Sequence, residues 1–182
     1  FLTYGASVDD AMYNAGALIQ AGAESVKVEG ASPRVLETIR AMVGVGIPVM
    51  AHLGLTPQSI HQFGGYRLQG RSAAEQEALL QAAHAVQEAG AFSLVLEVIP
   101  ASLAQRITES VQIPTIGIGA GVYCDGEIQV WHDLLGLSAQ QFKHAKRYAH
   151  LREIITNALQ QYADEVRERR FPAPEHSFEV EK

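Results

Sequence analysis

Strand-like and helix-like stretches alternate along this chain with short connections, and this alternation restricts the fold more than any other feature. Strands that alternate with helices pair in parallel through right-handed crossovers. The strand patterns are short and mostly apolar, which is typical of strands covered on both faces. They lie at 25–29, 47–52, 92–97 and 114–117, with a last one within 127–131. The order predicts an α/β fold, and a (β/α) barrel and an open doubly wound sheet both remain open.

Helix starts are marked by capping residues. Ser7 and Ser72 each precede an acidic residue by three positions, which is the pattern of a capping box, and Ser32 precedes a proline suited to the first turn. A long helix is predicted from roughly Ala139 to Glu168, with a break near its start left open, followed by an extended tail over 171–182. Residues 54–71 form a glycine-rich loop, and loops of this length in compact domains are often functional.

An internal repeat favours the barrel. Residues 21–29 and 89–97 both run from a helix stop, Ala-Gly-Ala, into a strand that ends on glutamate. Two equivalent units that present a carboxylate at the same strand end suggest a shared rim, where barrel enzymes carry their catalytic groups. A closed barrel has eight strands. The prediction is therefore a (β/α)8 TIM barrel from which about the first three strands are missing ahead of Phe1.

Composition narrows the class of protein. The 182 residues, 47% of them hydrophobic, suffice for one core and predict a single barrel domain over 1–182. A net charge of −6 argues against a general nucleic-acid binder, and no apolar run reaches the roughly 18 residues of a membrane span. The single cysteine, Cys124, fits a reducing compartment, so a cytoplasmic location is predicted. Because the chain begins on Phe rather than Met, its true start is expected to lie further upstream.

Charged residues at strand ends are the candidate site. Lys27 and Glu29 lie two positions apart on one strand and therefore point to the same side. They are either a structural ion pair or a substrate-binding lysine beside a carboxylate that binds Mg²⁺. Glu97 ends an apolar strand. It is either a general base or an exposed loop glutamate. His52 ends its strand at the same face, where a structural, hydrogen-bonded histidine is the alternative.

A glycine-rich run at 117–121 follows a strand with the spacing G-x-G-x-G. This spacing differs from the G-x-G-x-x-G of a dinucleotide site. It fits a close backbone approach to a ligand, or the phosphate site found at late strands of barrels.

Six stretches occur together along the chain in one order. They are VKVEG at 26–30, AHLGLTPQ at 51–58, GGYRLQGR at 64–71, LEVIP at 96–100, PTIGIGAG at 114–121 and WHDLLG at 131–136. With these stretches the chain resembles the ketopantoate hydroxymethyltransferase family. The similarity continues to residues 171–172 and 175–178 near the end of the chain.

The resemblance implies a barrel enzyme that transfers a one-carbon unit from 5,10-methylenetetrahydrofolate to 3-methyl-2-oxobutanoate, giving 2-dehydropantoate on the route to pantothenate and coenzyme A. It implies that Lys27 contacts the oxo acid, that Glu29 helps to bind Mg²⁺ and that Glu97 is the proton acceptor. His52 is placed with the substrate-binding residues on the active-site wall. The implied partners are the 2-oxo acid, the folate and further copies of the chain in a decamer, without nucleic acid or membrane.

The chain departs from the family pattern at its front. The family's first strands carry two metal-binding aspartates and a substrate-binding serine that have no counterpart in this sequence. Two other interpretations stay open. One is a different Mg²⁺-dependent barrel enzyme of oxo-acid or phosphonate chemistry, related to the isocitrate lyase group. The other is a non-catalytic fragment that serves as an assembly subunit.

Overall fold

The computed structural model describes residues 2–62 and 64–179. The chain divides into two compact units, Phe1–Ile128 and Gln129–Lys182. Because compact units need not be separate domains, the single domain predicted over 1–182 stays a prediction. No helix among the described residues is long and apolar enough to cross a membrane.

The first unit alternates strands with helices as the sequence predicts. Its strands are β1 Val26–Glu29, β2 Val49–Gly54, β3 Ser93–Glu97, β4 Thr115–Ile118 and β5 Gly126–Glu127. Its helices are α1 Val8–Gln20, α2 Pro33–Gly44, α3 Ala73–Glu88 and α4 Ala101–Ser110, with a 3-10 turn at Pro57–Ser59.

The sheet settles the choice between the two predicted architectures. All neighbouring strands are parallel, and their order is β1-β2-β3-β4-β5. A doubly wound sheet reverses its strand order at a switch point, whereas these five strands follow one another without reversal. This order is that of a (β/α) barrel, so the predicted barrel-type fold is confirmed as a partial barrel of five described strands.

The two faces of the sheet carry different side chains because successive residues of a strand point to opposite sides. One face packs against the helices and forms the apolar core. That face contributes Val26, Val28, Val49, Ala51, Leu94 and Leu96, which pack with helix residues such as Ile39, Met42, Val86, Leu103 and Ile107. The alternate positions of β1, β2 and β3 lie on the other face, where the polar residues collect.

The predicted helix caps are present. The Oγ of Ser7 accepts the backbone N–H of Asp10 at 3.0 Å. At the start of α3 the capping box is complete, since Ser72 Oγ accepts the N–H of Glu75 at 3.2 Å and Glu75 Oε2 accepts the N–H of Ser72 at 3.3 Å. Oε2 of Glu75 also accepts the N–H of Arg71 at 2.6 Å.

We expect Ser72→Ala to lower the free energy of unfolding by about 1 kcal/mol, because it removes an acceptor for an otherwise unpaired N–H of the first turn. Urea unfolding followed by circular dichroism measures the change. Ser102→Ala, at an exposed position in the first turn of α4, is the matched control. Equal effects of the two substitutions would contradict a capping role for Ser72.

The chain after β4 differs from the sequence prediction. The strand expected within 127–131 is present only at Glu127, and Trp131–Leu134 forms a short helix, α5. The long helix expected from Ala139 begins only at Leu151, as α6 Leu151–Arg167.

The chain upstream of α6 is held by a side chain. Nη2 of Arg147 donates to the carbonyl oxygens of Ser138, Ala139 and Gln140 at 3.0, 3.4 and 3.2 Å. Residues 138–140 form bends rather than a helix, and these three hydrogen bonds stabilise that path of the chain. Hydrophobic periodicity does not reveal such a contact. The helix prediction is wrong for 139–150, the region in which a break was left open, and confirmed for 151–167.

The tail contains a 3-10 turn at Pro174–His176. The tail predicted over 171–182 is therefore not extended throughout. Its last three positions, 180–182, lie outside the described residues.

Candidate active site

Three adjacent strands bring two glutamates and a histidine into one row. Glu29 ends β1 opposite His52 of β2, and Glu97 ends β3 opposite Gly54 of β2. Nδ1 of His52 lies 3.6 Å from Oε1 of Glu29, and Nε2 lies 3.0 Å from Oε2 of Glu97. His52 is 1% exposed, and neither ring nitrogen is aligned for a regular hydrogen bond. Active-site hydrogen bonds often align only in the substrate complex.

The carboxylate of Glu29 has a second support. The backbone N–H of Gln58, in the 3-10 turn after β2, donates to Oε2 of Glu29 at 2.9 Å. The backbone N–H of Glu29 donates to the hydroxyl oxygen of Tyr4 at 3.2 Å. Neither Gln58 nor Tyr4 was predicted as a site residue, since a backbone donor and a distant phenol leave no periodic signal in the sequence.

The charges of this row reinforce one another. Burial alone would raise the pKa of Glu29, but its contacts with His52 and with the N–H of Gln58, together with the charge of Lys27, bring that pKa below its ordinary value of 4.5. Burial alone would lower the pKa of His52, but the two carboxylates raise it above its ordinary 6.5. Between these two values the folded protein holds Glu29 ionised and His52 protonated.

The shifted pKa values of Glu29 and His52 predict how the stability of the metal-free protein varies with pH. The lowered pKa of Glu29 stabilises the fold above about pH 4.5, and this contribution is lost as the pH falls. The raised pKa of His52 stabilises the fold below about pH 6.5, and this contribution is lost as the pH rises through the folded-state value. The gap in urea midpoint between wild type and His52→Gln should therefore be widest between about pH 4.5 and 6.5. A gap that does not vary with pH would contradict the ion pairs.

The residue after Glu97 has an uncommon backbone conformation. Val98 has a φ of +49°, which is unfavourable for a β-branched residue. Its N–H donates to the carbonyl of Ile118 at 2.9 Å, and its carbonyl accepts the N–H of Gln69 at 3.0 Å. Such strain persists only where the surroundings fix the chain. The end of β3, and with it the backbone of Glu97, is therefore held on two sides.

A glycine allows β2 to approach the same point. Gly54 has a φ of +92°, and a Cβ atom there would lie 2.2 Å from the carbonyl oxygen of Glu97. The N–H of Leu55 donates to that carbonyl oxygen at 2.8 Å. Gly54 was not predicted as a site residue, although glycine at a strand end is a recognised sign of close backbone approach.

Lys27 lies on the polar face two positions before Glu29. Its side chain is exposed, and within the described part of the chain it has no carboxylate at ion-pair distance. Its positive charge is thus available to an anionic ligand at the carboxyl ends of the strands.

The residues partly fit a magnesium ion. Glu29 and Glu97 supply carboxylate oxygens, the ligands that Mg²⁺ prefers, and their side chains are 11% and 14% exposed. Over residues 2–62 and 64–179, no three His, Cys, Asp or Glu side chains come together as a metal site. Glu29 is therefore suited to be one ligand among several, and these residues alone do not form a complete cage.

The glycine run at 117–121 is explained by packing. A Cβ on Gly121 would lie 2.4 Å from Cβ of Ala101, and one on Gly117 would lie 2.8 Å from Oε2 of Glu127 and 3.2 Å from Sγ of Cys124. These two glycines let the segment after β4 pack against its neighbours, so their presence requires no phosphate ligand.

Solved structures share this fold. A phosphonopyruvate hydrolase matches with a TM-score of 0.53 at 11% identity, over 97% of this chain and 62% of that one. A phosphoenolpyruvate phosphomutase from Streptomyces platensis subsp. rosaceus matches with a TM-score of 0.52 at 13% identity, over 91% of this chain and 60% of that one. At such identities the likeness concerns the fold alone.

Sequence comparison is more specific. A family model described as Ketopantoate hydroxymethyltransferase matches residues 1–174. Proteins named 3-methyl-2-oxobutanoate hydroxymethyltransferase are 57% identical in Moorella thermoacetica, over 98% of this chain and 66% of the relative, and 56% identical in Chloroflexus aurantiacus, over 100% and 64%. The chain thus spans slightly less than two thirds of the length of these relatives. It belongs to the ketopantoate hydroxymethyltransferase family.

Proposed function

We propose that this protein catalyses hydroxymethyl transfer from 5,10-methylenetetrahydrofolate to 3-methyl-2-oxobutanoate, with water supplying the hydroxyl group. The supporting observation is that the family's sequence signature coincides with a row of charged groups at the carboxyl ends of three adjacent strands, where barrel enzymes carry out their chemistry. The products are tetrahydrofolate and 2-dehydropantoate, an intermediate of pantothenate biosynthesis.

Glu97 is the proposed base. It removes the proton from C3 of the oxo acid, the branched carbon beside the carbonyl, to give an enolate. Water breaks the two C–N bonds of the folate-borne methylene, which frees tetrahydrofolate and leaves the one-carbon unit at the oxidation level of formaldehyde. The enolate carbon attacks this unit, and its oxygen takes up a proton to become the hydroxyl group. His52 contacts Oε2 of Glu97, which leaves Oε1 to receive the proton. A base positioned in this way typically contributes about 10²–10⁴-fold to the rate.

Lys27 is the proposed anchor for the substrate. Its exposed ammonium, on the same face as Glu29, is suited to bind the carboxylate of the oxo acid and to balance negative charge that develops on the keto oxygen. Mg²⁺, when bound, supplies Lewis-acid stabilisation of the substrate oxygens. Glu29 would be one of its protein ligands.

We also propose an oligomeric state and a cellular location for the protein. By family resemblance the protein forms a homo-decamer in the cytoplasm. Multi-angle light scattering of the native protein measures the number of subunits. The phosphonate chemistry considered above has only the shared fold in its support, since the matching structures are 11–13% identical.

The experiment separates proton removal from one-carbon transfer. The native protein is incubated with 3-methyl-2-oxobutanoate and Mg²⁺ in D₂O, and the C3 proton is followed by ¹H NMR. We expect protein-dependent loss of this signal without folate and formation of 2-dehydropantoate once methylenetetrahydrofolate is added. Exchange without product would favour a different oxo-acid enzyme, and neither exchange nor product would favour a non-catalytic subunit.

A further inference from the structure

His52 has no step in the proposed reaction, yet it occupies the centre of the site. It is 1% exposed, and each of its ring nitrogens faces a carboxylate, Glu29 on one side and Glu97 on the other. Both ring nitrogens are buried and lie next to protein carboxylates, so neither is presented to a substrate.

The geometry points to His52 as a positioning residue that acts on the substrate only through Glu97. The imidazole holds Oε2 of Glu97 and links that carboxyl to Glu29, so that the proposed base and the proposed metal ligand keep a fixed separation. This role rests on the proposed function, in which Glu97 is the base. It differs from the substrate contact that the sequence resemblance suggested for His52.

The backbone and the carboxyl group of Glu97 are held by different contacts, and this difference is the basis of the inference. Its backbone is fixed by neighbouring main chain, through the carbonyl that accepts from Leu55 and through the constrained Val98 that follows. None of these contacts restrains rotation of the carboxyl group. Within the described residues, His52 is the one side chain at ion-pair or hydrogen-bond distance from that carboxyl.

Burial makes the support rigid. His52 is packed in the sheet at a position paired with Glu29 on β1 and Val95 on β3, and its ring cannot turn into solvent. A base that is misplaced by about 1 Å can lose about 10²-fold in rate. Removal of the imidazole should therefore affect the chemical step more than it affects substrate binding.

Two substitutions test the role by steady-state kinetics. His52→Leu removes both nitrogens and should lower kcat about 10- to 100-fold, while KM for the oxo acid stays within about threefold. His52→Gln keeps an N–H donor that can reach Glu97 and should recover most of the lost kcat. A rise in KM with unchanged kcat would show a direct substrate contact and overturn the proposal.

A double substitution gives the sharper test. If His52 acts only through Glu97, the variant Glu97→Gln/His52→Leu should be no slower than Glu97→Gln alone, within about threefold. Multiplication of the two single effects would overturn the proposal, because it would mean that His52 contributes independently of Glu97.

A spectroscopic readout separates this inference from the proposed function. The protein contains seven histidines, and ¹⁵N-histidine labelling with the His52→Gln variant identifies the ring signals of His52. These signals should shift in Glu97→Gln and stay in place in Glu24→Gln, an exposed glutamate before the start of β1. If wild type shows no turnover but the shift is present, the proposed reaction fails and the contact stands. Absence of the shift overturns the positioning role whatever the activity, even if His52→Leu does not fold.

Discussion

Replacing Glu97 by glutamine is expected to lower kcat for hydroxymethyl transfer about 10²–10⁴-fold, the usual contribution of a general base. Glutamine has the size of glutamate but cannot accept the C3 proton. Its amide oxygen can still face Nε2 of His52, which lies 3.0 Å from Oε2 of Glu97 in the wild type. KM for 3-methyl-2-oxobutanoate should therefore change little, and the loss should appear in both kcat and kcat/KM.

Glu24→Gln is the matched control for this substitution. Glu24 is exposed and precedes β1, at the amino end of the strand that carries Glu29. The same chemical change there should leave kcat within about twofold of wild type. Retention of more than about a tenth of wild-type kcat by Glu97→Gln would contradict the assignment of the base.

The second large effect concerns stability. Gly54→Ala should lower the free energy of unfolding by about 2–5 kcal/mol, the sum of a left-handed backbone and an overpacked contact. The added Cβ would lie 2.2 Å from the carbonyl oxygen of Glu97 and 2.8 Å from Cγ2 of Ile99, at a φ of +92°. Because the displaced carbonyl belongs to Glu97, activity should fall together with stability. Urea unfolding of the purified variant measures the loss.

Gly16→Ala provides the contrast. Gly16 lies within α1, and no atom lies within 4 Å of a Cβ built there. Alanine at that position should stabilise the fold by about 0.5–1 kcal/mol through its helix propensity. If the free energy of unfolding of Gly54→Ala lies within about 1 kcal/mol of the wild-type value, β2 and β3 are not as close as the structure has them.

Strand periodicity in the sequence predicts those parts of the site that lie at strand ends or on one face of a strand. The repeat at 21–29 and 89–97 placed Glu29 and Glu97 at equivalent strand ends, and the structure has both at the carboxyl edge of the sheet with His52 between them. Alternation along β1 likewise placed Lys27 and Glu29 on one face, opposite the buried Val26 and Val28. These features follow from local rules, so they can be predicted from a single sequence.

The rest depends on contacts between distant segments. The pairing of both His52 nitrogens with carboxylates depends on the register of three strands, which no single strand specifies. The left-handed Val98 contradicts local preference and is imposed by its neighbours. The non-helical path of 138–140, upstream of α6, is stabilised by hydrogen bonds from Arg147, a contact that hydrophobic spacing does not encode.

Transfer of an isotopic label from folate to the oxo acid would establish the proposed reaction. The native protein is supplied with 3-methyl-2-oxobutanoate, Mg²⁺ and methylenetetrahydrofolate labelled with ¹³C at the methylene carbon, and the products are followed by ¹³C NMR. We expect the label to appear in the hydroxymethyl carbon of 2-dehydropantoate, at a rate far lower in Glu97→Gln. Label that remains on the folate in the presence of native protein would contradict the proposed transfer.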